Sequence, residues 1–197
     1  MIAWQIQSLL LSYPDDELLD RRPLLRTAID TLPGPIGAPL LGFLDHLDRT
    51  PLAELTADYV ATFDHRKRFS PYLTYFAYGD TRKRGMALLR FKHAYRAAGL
   101  ELGVDELPDH LSVVLEFAAI EPAVGRRLLI EQRAGLELMR LGLREAGSPW
   151  AGVLESVSAT LSPLAGRDRD AVARLAASGP PEEEVGLEPY ALPGGPR

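Results

Sequence analysis

Proline directly after a hydroxyl or acidic residue recurs along this chain, at Thr50-Pro51, Ser70-Pro71, Glu121-Pro122 and Ser148-Pro149. Each pair predicts a helix start, because the N–H that proline lacks would have no partner in a first helical turn. Behind the starts the apolar residues fall on one helical face. Leu52, Leu55, Tyr59 and Phe63 follow Pro51, while Trp150, Val153, Leu154, Val157 and Leu161 follow Pro149. Leu111, Val114, Leu115 and Ala118 keep that spacing after Pro108, and Leu129, Leu136 and Leu143 recur at every seventh position. Gly79, Gly99 and Gly147 predict the stops, where a left-handed cap suits glycine. An earlier group covers Ile2 to Leu11, Asp20 to Leu32 and Ile36 to Leu47, broken by Pro14 and by Pro33-Gly34-Pro35. Strand alternation is hard to find, and no repeat of solenoid length is visible. The pattern predicts an all-α fold, a single-domain helical bundle without βαβ units.

The bundle is expected over residues 1–177, a length that buries enough surface to need no metal or disulfide staple. Residues 178–197 differ, with Pro180, Pro181, Pro189, Pro193 and Pro196 beside Glu182-Glu183-Glu184. That composition predicts a disordered acidic tail, dispensable for binding. The chain has no cysteine, which excludes disulfides, thiolate zinc sites, iron–sulfur ligation and a cysteine nucleophile. The N-terminal stretch lacks the basic flank and cleavage site of a signal peptide, and no apolar run approaches the ~18 residues of a membrane span. A cytoplasmic protein without membrane insertion is expected. The net charge of -5 argues against nucleic acid as partner.

Catalytic signatures are missing. His46, His65, His93 and His110 have no partners at metal-ligand spacing, and neither a phosphate loop nor a nucleophile elbow occurs. The expectation is a protein-binding module, not an enzyme, without a metal or cofactor of its own. Charge is distributed unevenly. Arg66, Lys67, Arg68, Arg82, Lys83, Arg84, Arg90, Lys92 and Arg96 face only Asp80 within their stretch, whereas Glu101, Asp105, Glu106, Asp109, Glu116 and Glu121 form a stretch without lysine or arginine. Either the two stretches pair across a solvated surface, or they form recognition surfaces of opposite sign. Asp80 is expected as a helix N-cap, which places Arg82, Lys83 and Arg84 in a first turn, against the helix dipole. Tyr72, Tyr75, Phe76 and Tyr78 would crowd every side of one short helix, and tyrosines lining a groove are common anchors for bound peptides.

The stretch from Tyr59 through Asp64, Arg66, Pro71, Tyr72, Tyr75 and Phe76 to Gly79, Asp80, Arg82 and Arg84 resembles the NarJ-type chaperones, which assemble the molybdenum cofactor into respiratory nitrate reductase. Phe91 to Arg96, Glu106 to Leu111 and the opening Leu11-Ser12-Tyr13-Pro14-Asp15 extend the likeness, while His65 and Pro71 depart from the pattern. Glu106, Pro108, Asp109 and His110 match a loop recurring across the wider redox enzyme maturation family. The resemblance implies an all-helical, cytoplasmic, non-enzymatic protein whose partner is the catalytic subunit of nitrate reductase and its N-terminal, signal-like peptide. Asp64, Arg66, Tyr72, Tyr75, Phe76, Gly79, Asp80, Arg82, Arg84, Glu106, Pro108, Asp109 and His110 become the candidate partner-binding residues. With Pro108 in a first helical turn, Asp109 is expected to face an arginine of the client. Two other readings stay open: a sister chaperone for another molybdoenzyme, and a nucleotide-binding enzyme or switch with Arg82, Lys83 and Arg84 on phosphate.

Overall fold

The computed structural model describes residues 1–64, 66–103 and 106–178. Helices run in the order α1 (Ile2–Leu10), α2 (Asp16–Asp20), α3 (Arg22–Ile29), α4 (Gly34–Arg49) and α5 (Leu52–Tyr59). A π turn (Val60–Asp64) and a 3-10 turn (Lys67–Phe69) lead to α6 (Tyr75–Tyr78) and α7 (Arg82–Ala97). Then come α8 (Leu111–Ile120), α9 (Pro122–Glu131), α10 (Arg133–Glu145), α11 (Trp150–Thr160) and α12 (Gly166–Ser178). No strand forms among the described residues, and the one isolated bridge pairs Tyr72 with His110. The all-α fold is as the sequence predicts.

Two close helix pairs, α4 with α11 and α1 with α8, build the centre, and α10 packs on α11 and α12. Glycine makes two of the crossings possible. A Cβ at Gly152 of α11 would stand 2.8 Å from the carbonyl oxygen of Pro39 in α4, and one at Gly125 of α9 would stand 2.3 Å from the Cα of Ala118 in α8. Trp150 anchors the core, ringed by Phe43, Tyr59 and Phe63 at centroid distances of 5.5–5.8 Å. Buried polar groups on α1 find partners across the bundle. The Trp4 indole donates to Thr160 Oγ1 at 2.9 Å, Gln7 Nε2 to Ser156 Oγ at 2.8 Å, and Ser8 Oγ to the Ser112 carbonyl at 2.7 Å. Buried polar groups without partners are costly, so these bonds fix which faces of α1, α8 and α11 meet.

Gly79, Gly99 and Gly147 all adopt positive φ, at 55°, 74° and 66°, and end helices as the sequence predicts. Prolines 51, 122 and 149 stand at helix starts. Three local expectations are corrected. No helix begins at Pro71, whose carbonyl instead accepts a 2.8 Å bond from the Leu111 N–H. Pro108 and Asp109 lie in a turn, and α8 starts only at Leu111 with His110 as its N-cap. Thr81, not Asp80, is the N-cap of α7, and Asp80 pairs with Lys67 and Arg84. Residues 179–197, where the tail is expected, lie outside the described residues, as do His65 and Asp105.

Candidate functional site

Two segments far apart in sequence meet around one backbone pairing. The Leu73 N–H donates to the Asp109 carbonyl at 3.0 Å and the Leu111 N–H to the Pro71 carbonyl at 2.8 Å, so Tyr72 and His110 stand opposite each other. In such an antiparallel pair the facing side chains are close neighbours. The Tyr72 and His110 rings accordingly meet edge to face, 5.4 Å between centroids.

Beneath this pair lies a buried ionic knot. Asp109 is fully buried, and its Oδ2 accepts from the Thr74 hydroxyl at 2.5 Å and the Thr74 N–H at 3.2 Å. Arg84 approaches the same oxygen at 3.5 Å, donates through Nε to Thr74 Oγ1 at 3.2 Å, and lays its guanidinium over the Tyr72 ring at 5.3 Å. The Tyr95 hydroxyl donates to the Pro108 carbonyl at 2.6 Å, tying α7 to the same turn. The acidic loop and the basic helix therefore do pair, but at one buried site. The carboxylate of Asp109 faces inward, against the expectation that it meets the client. Charge and hydrogen bonds compensate Oδ2, as a buried carboxylate requires, whereas Asp109 Oδ1 and Arg84 Nη2 are buried without a hydrogen-bond partner.

Above the knot opens a groove of about 270 Å³ lined by Ser12, Tyr13, Tyr59, Tyr72, Glu106, Leu107, His110, Ser112 and Val113. The end of α1 supplies Ser12 and Tyr13, whose ring packs edge-on against Tyr59 at 5.5 Å. Tyr59 is itself fixed by donating to the Leu11 carbonyl at 3.1 Å, and burial pushes its hydroxyl well above the ordinary tyrosine range. His110 Nδ1 lies 2.6 Å from Ser112 Oγ, and desolvation holds the imidazole below the usual histidine range despite the neighbouring Asp109. The wall thus offers neutral imidazole and phenol at neutral pH, beside the exposed carboxylate of Glu106. Glu106 and Val113 also border a second trough of about 250 Å³, where Leu100, Leu102, Phe117 and Ile120 form an apolar floor and Glu101 and Glu116 carry charge. Among the described residues, no ion pair joins Glu101, Glu106 or Glu116 to a base.

Of the predicted residues, Tyr72, Glu106 and His110 line the groove, and Arg84, Pro108 and Asp109 support it from below. Tyr75 and Phe76 are buried, with Phe76 against Gly135 of α10. Gly79 is the positive-φ stop before α7, and Asp80 is exposed in pairs with Lys67 and Arg84. Asp64 and Arg66 are exposed on the turns after α5, Arg66 resting on the Phe69 ring, and Arg82 is exposed on α7. None of these last residues lines the groove. Thr74, Tyr13 and Ser112 join the candidate residues only through the fold. The Tyr13-Pro14 pair was visible as a helix end, but nothing local shows what Tyr13 faces. No group of three or more histidines or carboxylates among the described residues stands where it could hold a metal.

A bundle with this course is shared with a crystal structure from Archaeoglobus fulgidus described as a redox enzyme maturation protein, at a TM-score of 0.58 and 24% identity over 89% of this chain and 94% of that one. That defines the fold class. The chain belongs to the nitrate reductase delta subunit family, whose profile matches residues 29–155. The nitrate reductase-like protein NarX of Mycobacterium tuberculosis is 40% identical over 161 residues, covering 81% of this chain and 24% of NarX. The chain therefore spans about a quarter of that relative's length. NarJ of Bacillus subtilis, named for nitrate reductase molybdenum cofactor assembly as a chaperone, is 36% identical over 132 residues, 66% of this chain and 72% of that protein. The relatives named for a role of their own are thus assembly chaperones, in keeping with the non-enzymatic reading. No helix among the described residues is long and apolar enough to cross a membrane.

Proposed function

We propose that this protein is an assembly chaperone for a molybdenum-dependent nitrate reductase, and that its groove holds the N-terminal, signal-like peptide of the catalytic subunit. Membership of the delta subunit family and the NarJ relatives support the general role. The observation that carries the peptide reading is the continuity of the tyrosine-lined groove, across Glu106 and Val113, with the acid-rimmed apolar trough. A peptide with an apolar helical face and basic residues is the complement of such a track. Tyr13, Tyr72 and His110 give it amphipathic, partly wet walls, and Glu101, Glu106 and Glu116 give it carboxylates that join no ion pair among the described residues. Arg84 and Asp109 position the wall without touching the peptide. A wet groove also keeps affinity modest, as client release requires. Retention of the client until cofactor insertion, before membrane docking, follows from occupying its N-terminus. Calorimetry with the N-terminal peptide of the catalytic subunit tests the reading. Saturable heat absent for a scrambled peptide of equal charge is expected, and equal heats from both peptides would reject it.

A further inference from the structure

Helix α7 buries only Phe91 and Tyr95, and it contains no acid. On the opposite side Arg82, Met86, Leu89, His93 and Arg96 follow one another at helical spacing, a cation at each end and apolar groups between. Met86 is 71% exposed and Leu89 44%. Arg82, Lys83, Lys92 and Arg96 join no ion pair among the described residues. Gly85 is exposed beside Met86 and Leu89, and a Cβ there would meet nothing within 4 Å. Glycine is the poorest helix former after proline, and no close approach inside the molecule calls for it here.

The complementary surface is on the same chain. The trough beside the groove has an apolar floor that includes Phe117 and Ile120, the latter 54% exposed. Its carboxylates, Glu101, Glu106 and Glu116, join no ion pair among the described residues. The two surfaces adjoin, since Lys92 and Arg96 share with Glu101 and Glu106 the walls of a cavity of about 340 Å³. Within one molecule the outer face of α7 cannot turn into the trough, because Phe91 and Tyr95 hold the other face in the core. Two copies can satisfy both surfaces. A second copy turned about a two-fold axis near the cavity brings each basic face over an acidic trough, and such an assembly closes at two.

We propose that this protein forms a reciprocal two-fold dimer in which the outer face of α7 of each copy covers the acid-rimmed trough of the other. Met86 and Leu89 meet the apolar floor, Gly85 admits close approach, and the surrounding cations meet the carboxylates. A patch of this size with charged rims gives weak, reversible pairing whose register is set by charge. The trough is the one assigned above to the client peptide, but the dimer requires no client, so the two readings can fail separately. Where both hold, dimer and peptide complex are alternatives, because α7 presents the apolar and basic face that the peptide would bring.

The test uses the full chain without peptide, followed by sedimentation equilibrium from about 1 to 200 µM. A monomer–dimer equilibrium is expected for the wild type. Arg82→Glu, Arg96→Glu as one variant and Glu101→Lys, Glu116→Lys as another are each expected to weaken association at least about tenfold, with unchanged helical circular dichroism. Mixed one to one, the two variants should pair as the wild type does, because each α7 then meets a trough of opposite sign. Leu89→Glu, a single change at an exposed position, should weaken association as well and serves should a double variant fail to fold. A wild type that stays monomeric over this range would overturn the proposal, as would assemblies growing beyond two. Undiminished association of any of these variants, or a mixture that pairs no better than its components, would overturn it too.

Discussion

Asp109 and Glu106 are carboxylates three residues apart with opposite surroundings, and their substitutions should separate stability from binding. Asp109 is fully buried against Thr74 and Arg84. Asp109→Asn leaves the guanidinium without its buried partner, although Asp80 at 3.6 Å still offers partial compensation. A loss of about 2–4 kcal/mol is expected, measured by urea denaturation. Glu106 is exposed, and Glu106→Gln should change stability by less than about 0.5 kcal/mol. Its client-peptide affinity should fall about tenfold or more, with a weaker salt dependence than wild type, as a charge-assisted contact of about 1.5–3 kcal/mol is lost. Histidine sets a pH dependence whose sign is fixed. Desolvation lowers the pKa of both His46 and His110 in the folded chain. Between those lowered values and the unfolded value of about 6.5, the unfolded chain binds protons that the native chain does not. Stability therefore rises with pH through that window and is lost as pH falls below about 6.5. His110→Gln should shrink the drop in urea midpoint between pH 7 and pH 5.5, and an undiminished drop would contradict the account.

At the scale of elements, the helix starts at Pro51, Pro122 and Pro149 and the glycine stops were legible because their causes are local. A proline at a first turn and a glycine at positive φ act within a few residues. Pro71 and Pro108 carry the same local signal and begin no helix. Their segments lie paired to each other, Leu111 N–H to Pro71 carbonyl and Leu73 N–H to Asp109 carbonyl, and a partner almost forty residues away leaves no mark in either stretch. The same pairing explains the site. Tyr72, Glu106 and His110, candidates by motif resemblance, line the groove, whereas the inward turn of Asp109 and the places of Tyr13 and Thr74 depend on contacts only the fold creates. Helix crossings are a second non-local matter. Gly152 would place a Cβ 2.8 Å from the Pro39 carbonyl, a backbone atom that cannot swing aside. Gly152→Ala should thus cost about 1–3 kcal/mol despite the better helix propensity of alanine. Gly42→Ala, with nothing within 4 Å, should be neutral or slightly stabilising on the same denaturation assay.

Across the whole molecule, charge is organised by function of position. The buried Arg84–Asp109 contact joins the basic helix α7 to the acidic stretch, while Glu101, Glu106 and Glu116 line the groove and trough. Other cations of the basic stretch are held by distant acids, Arg68 by Glu145 and Arg90 by Glu131. On the proposed reading the groove and trough receive a basic, apolar segment, while Lys92 and Arg96 of α7 border a further cavity together with Glu101 and Glu106. The central claim is that a client's N-terminal peptide occupies the track from Tyr13 and Tyr72 past Glu106. The most direct measurement is photo-crosslinking with the catalytic subunit's N-terminal peptide carrying a photoreactive phenylalanine at each apolar position in turn, the adducts located by mass spectrometry. The account predicts adducts on Tyr13, Tyr72, His110 and the Val113–Phe117 side of α8. Adducts confined to α7, or spread over the surface without preference for the groove, would contradict it.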